Sequence, residues 1–298
     1  MKLTFLGTGT SIGVPAIGCQ CEVCRSTDPH DKRLRTSALL ETDGGLRVLI
    51  DCGADFRQQI LTQRFGKFDG VMLTHIHYDH VGGMDDLRPF GMFGDVDVYA
   101  DEHVVRGLHQ TIPYCFKEQL YPGVPRLQLH TIEPHHSITI SRTEAKTVKM
   151  PASGADRHGN LIKEGITVTT LPATDTLSVM PITVMHGKMP ILGYIFQTID
   201  AEGGKSKRLA YITDMKYIED SELPYLTDID TLVVNALRFE KEHHSHQLAD
   251  DAIAFSRMIG ARETYLIHVT HDIGFHDIAN ARLPHGFHIP YDGEIITL

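Results

Sequence analysis

The chain's chemistry is concentrated in Leu73-Thr74-His75-Ile76-His77-Tyr78-Asp79-His80, where three imidazoles and a carboxylate fall within six residues. Imidazole and carboxylate together suit Zn, Mn or Fe. The apolar run Gly70-Val71-Met72-Leu73 precedes them, so the segment reads as a strand that ends at Thr74 and turns into a ligand-bearing loop. One ion cannot take every group of so tight a loop plus ligands from elsewhere. Two neighbouring ions can, and a pair ~3.5–4 Å apart is the usual device for hydrolysing phosphate esters. With 19 His in the chain, a lone H-x-H would be commonplace. H-x-H-x-D-H closing a strand is much more specific.

The second half of the chain repeats the device. Ile182–Met185 runs into His186, Leu209–Thr213 into Asp214, and Thr264–Ile267 into His268. Taken singly, each is a polar strand terminus. Together they describe strand ends converging on one sheet edge, where loops build a site on a rigid scaffold. Asp51, closing the strand Leu46–Asp51, could orient a ligand histidine or merely cap a turn. Glu242-His243-His244-Ser245-His246 precedes an amphipathic helix from Gln247 to Ile259, which puts His246 at the helix start beside the strand ends. Cys19-x-Cys21-x-x-Cys24 allows three thiolates on one ion, and tetrahedral zinc would need a fourth ligand, often His.

Elements that must hold these groups follow from periodicity and turn chemistry. Lys2–Leu6 is a strand, and Gly7-Thr8-Gly9-Thr10-Ser11 is read as a turn rather than a phosphate cradle. Ser37–Thr42 and Leu46–Asp51 form a hairpin across Asp43-Gly44-Gly45. Helices are expected at Ala54–Phe65, His80–Leu87, Asp101–Gln110 and Ile278–Arg282, with strands at Asp95–Ala100, Ile166–Leu171, Thr231–Leu237 and Glu294–Leu298. Gly193–Thr198 and Lys207–Thr213 pair across Ala201–Ser206. Thr111–Pro134 reads as an irregular covering loop, and Met150–Asn160 as a polar, turn-rich loop. His103, His109, His135, His136 and His158 are read as surface residues. No internal repeat or linker divides the chain, so the expectation is one domain over 1–298 with an elaboration at about 133–181.

Composition narrows the class. The chain has 298 residues, 42% hydrophobic and 22% charged, with a formal net charge of −10. That balance argues against binding through a broad basic surface, and so against a large nucleic acid as partner. A small phosphate-bearing substrate stays compatible, because bound ions bring their own positive charge. No stretch approaches a membrane span or a signal peptide, so the expected location is cytoplasmic, with no membrane partner. In that compartment five cysteines, three of them clustered, favour a metal site over disulfides.

The order His75-x-His77-x-Asp79-His80, His186, Asp214, His268 resembles the metallo-β-lactamase superfamily. The resemblance implies an α/β (α+β) fold, a four-layer αβ/βα sandwich. Within the superfamily the chain is most similar to the phosphoribosyl 1,2-cyclic phosphate phosphodiesterases of the carbon–phosphorus lyase pathway. The similarity rests on Leu3-Thr4-Phe5-Leu6-Gly7-Thr8-Gly9, on Gly18-Cys19-x-Cys21-x-x-Cys24, on His268-Val269-Thr270-His271, and on the tail Leu283-Pro284-x-Gly286-Phe287 with Tyr291-Asp292-Gly293. It implies that His75, His77 and His186 hold one catalytic ion, that Asp79, His80 and His268 hold the other, and that Asp214 bridges. It also implies a structural zinc on Cys19, Cys21, Cys24 and His271, and a proton donor at His246, with His243 and His244 as fallbacks. Two departures bear on the substrate: the Glu133–Pro181 stretch has no counterpart in compact members, and Met215 stands where a small hydroxyl residue is familiar.

The expected function is therefore hydrolysis of a small, cyclic phosphodiester, such as a ribose or nucleotide cyclic phosphate. A hydroxide bridging two divalent ions, Mn or Zn, would attack phosphorus, and His246 would protonate the leaving alkoxide. Homodimerisation is implied by the resemblance alone. Competing readings are an RNA 3′-processing endonuclease or a thioester hydrolase on the same scaffold, a redox enzyme, and a non-enzymatic zinc-binding protein. The last leaves the converging ligands unexplained.

Overall fold

The computed structural model describes residues 1–152, 154, 155, 158, 160, 161, 165–200 and 202–298. The chain first lays down β1 (Lys2–Gly7), β2 (Ser37–Glu41), β3 (Arg47–Ile50), β4 (Gly70–Met72), β5 (Val96–Ala100) and β6 (Leu127–Thr131). It continues through β7 (Ile138–Ile140), β8 (Lys146–Met150), β9 (Ile166–Thr170), β10 (Asp175–His186) and β11 (Met189–Asp200). β12 (Leu209–Ile212), β13 (Thr231–Asn235), β14 (Glu263–Ile267), β15 (Phe287–His288) and β16 (Ile295–Thr297) complete it. Two seven-stranded sheets result, ordered β16-β1-β2-β3-β4-β5-β6 and β15-β14-β13-β12-β11-β10-β7, with β8-β9 as a separate hairpin.

Strand side chains alternate faces, and here both faces are buried. Leu3, Phe5, Leu40, Val48 and Ile50 meet Leu177, Val179, Tyr194, Phe196 and Ile267 between the sheets. The intervening Leu39, Leu49, Val71 and Val98 face outward onto Phe56, Val104 and Leu108 of the helical layer. On the other side Ile182, Val184, Val234 and Leu266 pack against Ala249, Ala252, Phe255 and Ala279. This is a four-layer αβ/βα sandwich. The helix Ala249–Ile259 stops where Gly260 takes a left-handed conformation, φ 69°.

β3 to β6 run parallel, as do β12 to β15. Their carboxyl ends therefore share an edge in each sheet, and the two edges are stitched together. Leu192 N–H donates to Thr74 O at 3.0 Å, and the Tyr194 hydroxyl donates to Leu73 O. The site is built along this seam.

Several elements differ from the sequence expectation. The Ala54–Phe65 helix is only Phe56–Ile60, because the chain then drops so that Phe65 packs on Phe90 and Phe93, with ring centroids 5.1 and 5.5 Å apart. The covering loop contains β6, whose polar Gln128 and His130 hid it. His130 stacks on Tyr99 at 4.7 Å and pairs with Asp97. The helix expected to open at His80 is Tyr78–Val81, followed by a 3-10 stretch Met84–Phe93, so Asp79 and His80 both lie in its single turn. Among the described residues of 133–181, β8-β9 stands apart, while β7 and the start of β10 complete the second sheet. Of the expected loop Met150–Asn160, Ser153, Asp156, Arg157 and Gly159 lie outside the described residues, as does Ala201 of the Ala201–Ser206 turn.

Candidate metal centre

Three of the convergent strand ends share one backbone device. Asp51, Asp214 and His268 have φ of 59°, 58° and 56°. Each costs roughly 1–3 kcal/mol and persists only where surrounding structure fixes it. All three side chains are buried, at 0%, 2% and 1% exposure. The ligand helix Tyr78–Val81 is seated against the end of β3 by Cys52 N–H to His80 O, 2.8 Å, and Gly83 N–H to Cys52 O, 2.9 Å. Gly53 is required there, because a Cβ on it would lie 1.9 Å from Asp79 O.

The structure brings the ligand candidates into two adjoining groups. In the first, the ligating atoms of His75, His77 and His186 lie within 4.8 Å of one another. Two of the three have their far nitrogen committed elsewhere. His186 Nδ1–H donates to Ser245 O at 3.0 Å. The Thr74 hydroxyl donates to the Asp51 carboxylate at 2.9 Å and accepts from His75 Nδ1–H at 3.0 Å. Those bonds put the ring lone pair of His75 and of His186 on Nε2. His75 Nε2 and His77 Nδ1 face each other at 3.0 Å.

In the second group Asp79, His80 and His268 lie within the same 4.8 Å limit, as do His75, His80 and Asp214. His80 Nδ1–H donates to Asp51 Oδ2 at 2.8 Å, which directs Nε2 inward. That Nε2 is 3.2 Å from both Asp79 Oδ2 and Asp214 Oδ2. His268 Nε2 is 3.1 Å from Asp214 Oδ1. Asp214 thus shows one oxygen to His80 and the other to His268. Asp51 also accepts Thr74 N–H at 2.8 Å, which ties the end of β3 to the end of β4 and is not the turn cap the sequence allowed.

The buried charges of the site are set against one another. Burial alone would raise the Asp79 carboxyl, but the facing imidazoles of His268 and His80 hold it below the usual range. Asp214 behaves alike, burial being overcome by the charges of His268 and His80. Burial would neutralise His80, yet Asp214 and Asp51 raise it well above an ordinary histidine. Burial, then the neighbouring His80, lowers His75; burial, then His186, lowers His77. The buried nitrogens His80 Nε2, His268 Nε2 and His268 Nδ1 have no well-formed hydrogen bond. Inward lone pairs around two ionised carboxylates fit divalent cations.

His246 precedes its helix by more than expected, the helix beginning at Ala249. It is nonetheless brought to the centre, with Nδ1 3.6 Å from Asp214 Oδ1 and its ring 4.7 Å from His186 and 4.8 Å from His268. Burial, then His268, pushes it down to about 3. The His243 ring lies 5.0 Å from His246, while His244 is exposed. Among the histidines read as surface residues, His103, His109, His136 and His158 are exposed. His135 is exposed as well, although its ring stacks on Tyr225 and lies 2.8 Å from Glu222.

A separate group joins Cys19, Cys21, Cys24 and His271 within 4.8 Å. Cys19 and Cys21 Sγ are 3.6 and 3.2 Å from His271 Nδ1, and all the cysteines are free. Hydrogen bonding from Cys21 lowers the Cys19 thiol, and burial raises Cys24 to about 11. The Gly7–Ser11 turn spends its polar groups internally. Thr8 N–H and hydroxyl donate to Asp292, and Val269 N–H donates to Thr8 O at 3.1 Å. A further grouping, His30, His276 and Asp277, is spoiled as a metal site, because the Arg33 guanidinium donates to His276 Nδ1 at 3.2 Å. Sequence reading missed Thr74 and Ser245 as orienting groups. A hydroxyl residue between the strand and the first ligand was the signal for Thr74; Ser245 acts through its backbone and gave none.

Comparison with known proteins defines the class. The beta-lactamase superfamily domain matches residues 46–269, and the chain belongs to that superfamily. Its fold is the metallo-β-lactamase fold, which is that of metal-dependent hydrolases. Within it, the chain is similar to a crystallographically solved diphosphatase of the PhnP family, with 33% identity and a TM-score of 0.76, covering 99% of this chain and 96% of that one. It is 40% identical over 293 residues to a Porphyromonas gingivalis protein named octanoyltransferase, covering 98% of this chain and 51% of that protein. The chain thus spans about half the length of that relative. A ribonuclease Z of Methanococcus maripaludis is 23% identical, covering 91% of this chain and 88% of its own. No helix among the described residues is long and apolar enough to cross a membrane.

Proposed function

We propose that the chain is a phosphodiesterase that uses two divalent ions, Mn or Zn, to hydrolyse a small diester such as a cyclic ribose or nucleotide phosphate. The observation that carries the reading is a pair of adjoining ligand groups joined at Asp214, which lies within 4.8 Å of His75 of the first and His80 of the second. His75, His77 and His186 would hold one ion, Asp79, His80 and His268 the other, with Asp214 between them. Ions so placed would activate water and neutralise the charge that builds on the phosphoryl oxygens. Asp51 holds His80 in the ligating tautomer, and Thr74 does the same for His75. His246, beside Asp214, gives its proton to the departing oxygen. The cysteine group with His271 would take a structural zinc. The 33% identical PhnP-family diphosphatase supports phosphoryl chemistry.

One observation favours a second reading. The relative named octanoyltransferase points to acyl chemistry, and a thioester carbonyl suits the same ions. The test is turnover by metal-stripped protein, refilled with Mn or Zn, of a chromogenic phosphodiester, the matching monoester and an octanoyl thioester. Metal-dependent cleavage of the diester alone is expected. Preference for the thioester would replace this reading with the second.

A further inference from the structure

The sequence run Thr231–Asn235 ends a fully buried apolar strand on a carboxamide that the chemistry above does not use. Asn235 is 0% exposed. A buried amide that is not hydrogen-bonded costs about 1–3 kcal/mol, so its partners show what it is for. Its Oδ1 accepts Met215 N–H at 2.7 Å, and its Nδ2 donates to Met215 O at 2.9 Å. The side chain thus pairs with the Met215 peptide as a neighbouring strand would. Met215 directly follows Asp214, the residue shared by the two ligand groups.

The same residue reaches the other reacting group from its backbone. Asn235 O accepts Gln247 Nε2–H at 2.8 Å, and Gln247 N–H returns to Met215 O at 3.1 Å. Gln247 is 2% exposed and directly follows His246. Asn235 also stands opposite Ile267 in the β13–β14 register, and Ile267 directly precedes His268. Asn235 therefore ties together, by its side chain at Met215 and its backbone at Gln247 and Ile267, the segments carrying Asp214, His246 and His268, one residue removed in each case. It touches none of those side chains.

We propose that Asn235 is a positioning residue that sets the separation of the Asp214 carboxylate and the His246 ring, and hence proton delivery to the leaving oxygen. Packing alone does not call for a carboxamide here. Leucine would fill the volume but leave Met215 N–H without its acceptor. Aspartate would keep the acceptor and lose the donor, leaving Met215 O to Gln247 N–H alone. The proposal rests on His246 being the proton donor, as proposed above. The test is chosen so that the two ideas fail separately.

Metal-loaded wild type, Asn235→Leu, Asn235→Asp, His246→Ala and the double variant Asn235→Leu/His246→Ala are assayed on two aryl phosphodiesters, one with a nitrophenolate and one with an unactivated phenolate leaving group. Ser256→Ala is the stability control. It removes a buried side-chain hydrogen bond to Thr264, 2.7 Å long, away from the site. Thermal midpoint and metal content per chain are read on the same samples. Asn235→Asp carries the test if Asn235→Leu does not fold.

The expected result has three parts. The Asn235 variants lose about tenfold or more in kcat on the unactivated diester relative to the nitrophenyl ester, within the ~10²–10⁴ that a whole proton donor supplies. KM and metal content hold. The Asn235 effect disappears in the His246→Ala background, as expected for two groups acting as one unit. Ser256→Ala shifts the midpoint and leaves the leaving-group ratio alone. An equal loss on both esters, a loss of metal, or an effect that persists without His246 overturns the positioning role. If His246→Ala itself shows no leaving-group dependence, the donor assignment falls and takes this proposal with it.

Discussion

Asp51 lies one step behind the ligands, and replacing it with asparagine tests how the site is held. Its carboxylate accepts His80 Nδ1–H at 2.8 Å, Thr74 N–H at 2.8 Å and the Thr74 hydroxyl at 2.9 Å, all with no exposure to solvent. Asparagine keeps one acceptor oxygen. If that oxygen stays on Thr74, an amide N–H is turned toward His80 Nδ1. The imidazole must then accept at Nδ1 and carry its proton on Nε2, and a protonated nitrogen cannot bind a cation. Groups that orient a ligand histidine typically change metal affinity about 10–100-fold, or about 1.4–2.8 kcal/mol. A lost hydrogen bond between charged partners is worth about 1.5–3 kcal/mol, which agrees. Titration of Zn or Mn into stripped Asp51→Asn against a competing chelator should show the site containing His80 weakened by that factor, with diester turnover falling in step. The His75 site should change less, since Thr74 can still donate to the remaining oxygen. Wild-type affinity at both sites, in a variant of unchanged thermal midpoint, would refute the claim that Asp51 sets the His80 tautomer.

Other substitutions probe the frame around the site. Gly53→Ala forces a Cβ to within 1.9 Å of Asp79 O, so it should destabilise by about 1–3 kcal/mol and release the ion at Asp79, measured by thermal unfolding and metal content. Cys24→Ser should lower metal content by one ion per chain and lower the thermal midpoint, while the ions of the histidine groups stay bound in a chelator titration. Asp292 gives a pH signature. Burial raises its carboxyl from 3.8 to about 6, against the hydrogen bonds it accepts from Leu34 and Thr8. A raised carboxyl binds its proton more tightly in the folded than in the unfolded chain. Its contribution is therefore most favourable below about pH 4 and is lost as pH rises to about 6. The change is about 3 kcal/mol, at 1.36 kcal/mol per unit. Asp292→Asn should remove that slope from the difference between variant and wild-type unfolding curves over pH 4–6.5.

The candidate site was unusually legible because its ligands end strands. An apolar run followed by His or Asp is visible without knowing which strands are neighbours, and four such endings in one chain imply convergence. The fold's strands were legible where short apolar runs were bounded by turn residues, as in Lys2–Leu6 before Gly7 and Leu46–Asp51 after Asp43-Gly44-Gly45. β6 was missed because Gln128 and His130 look like loop residues until Asp97 and Tyr99 are seen opposite them. The helix after Asp55 was overextended because Phe65 shares its apolar period while serving a different contact with Phe90 and Phe93. Orienting groups were hardest to read. Ser245 acts through a carbonyl that any residue supplies, and Asn235 is one polar letter in Thr231-Leu232-Val233-Val234-Asn235 whose partner lies 20 positions earlier. Long-range pairing of this kind leaves no local pattern.

The central claim is that the two ligand groups act as one diester-cleaving centre. The most direct measurement is diester turnover followed during stepwise addition of Mn or Zn to stripped protein, with bound metal counted at each step. The account predicts negligible turnover until the cysteine group and the first histidine group are filled, then a rise in proportion to the ion held by Asp79, His80 and His268. Full turnover with that last group empty, or none with every group filled, would contradict it.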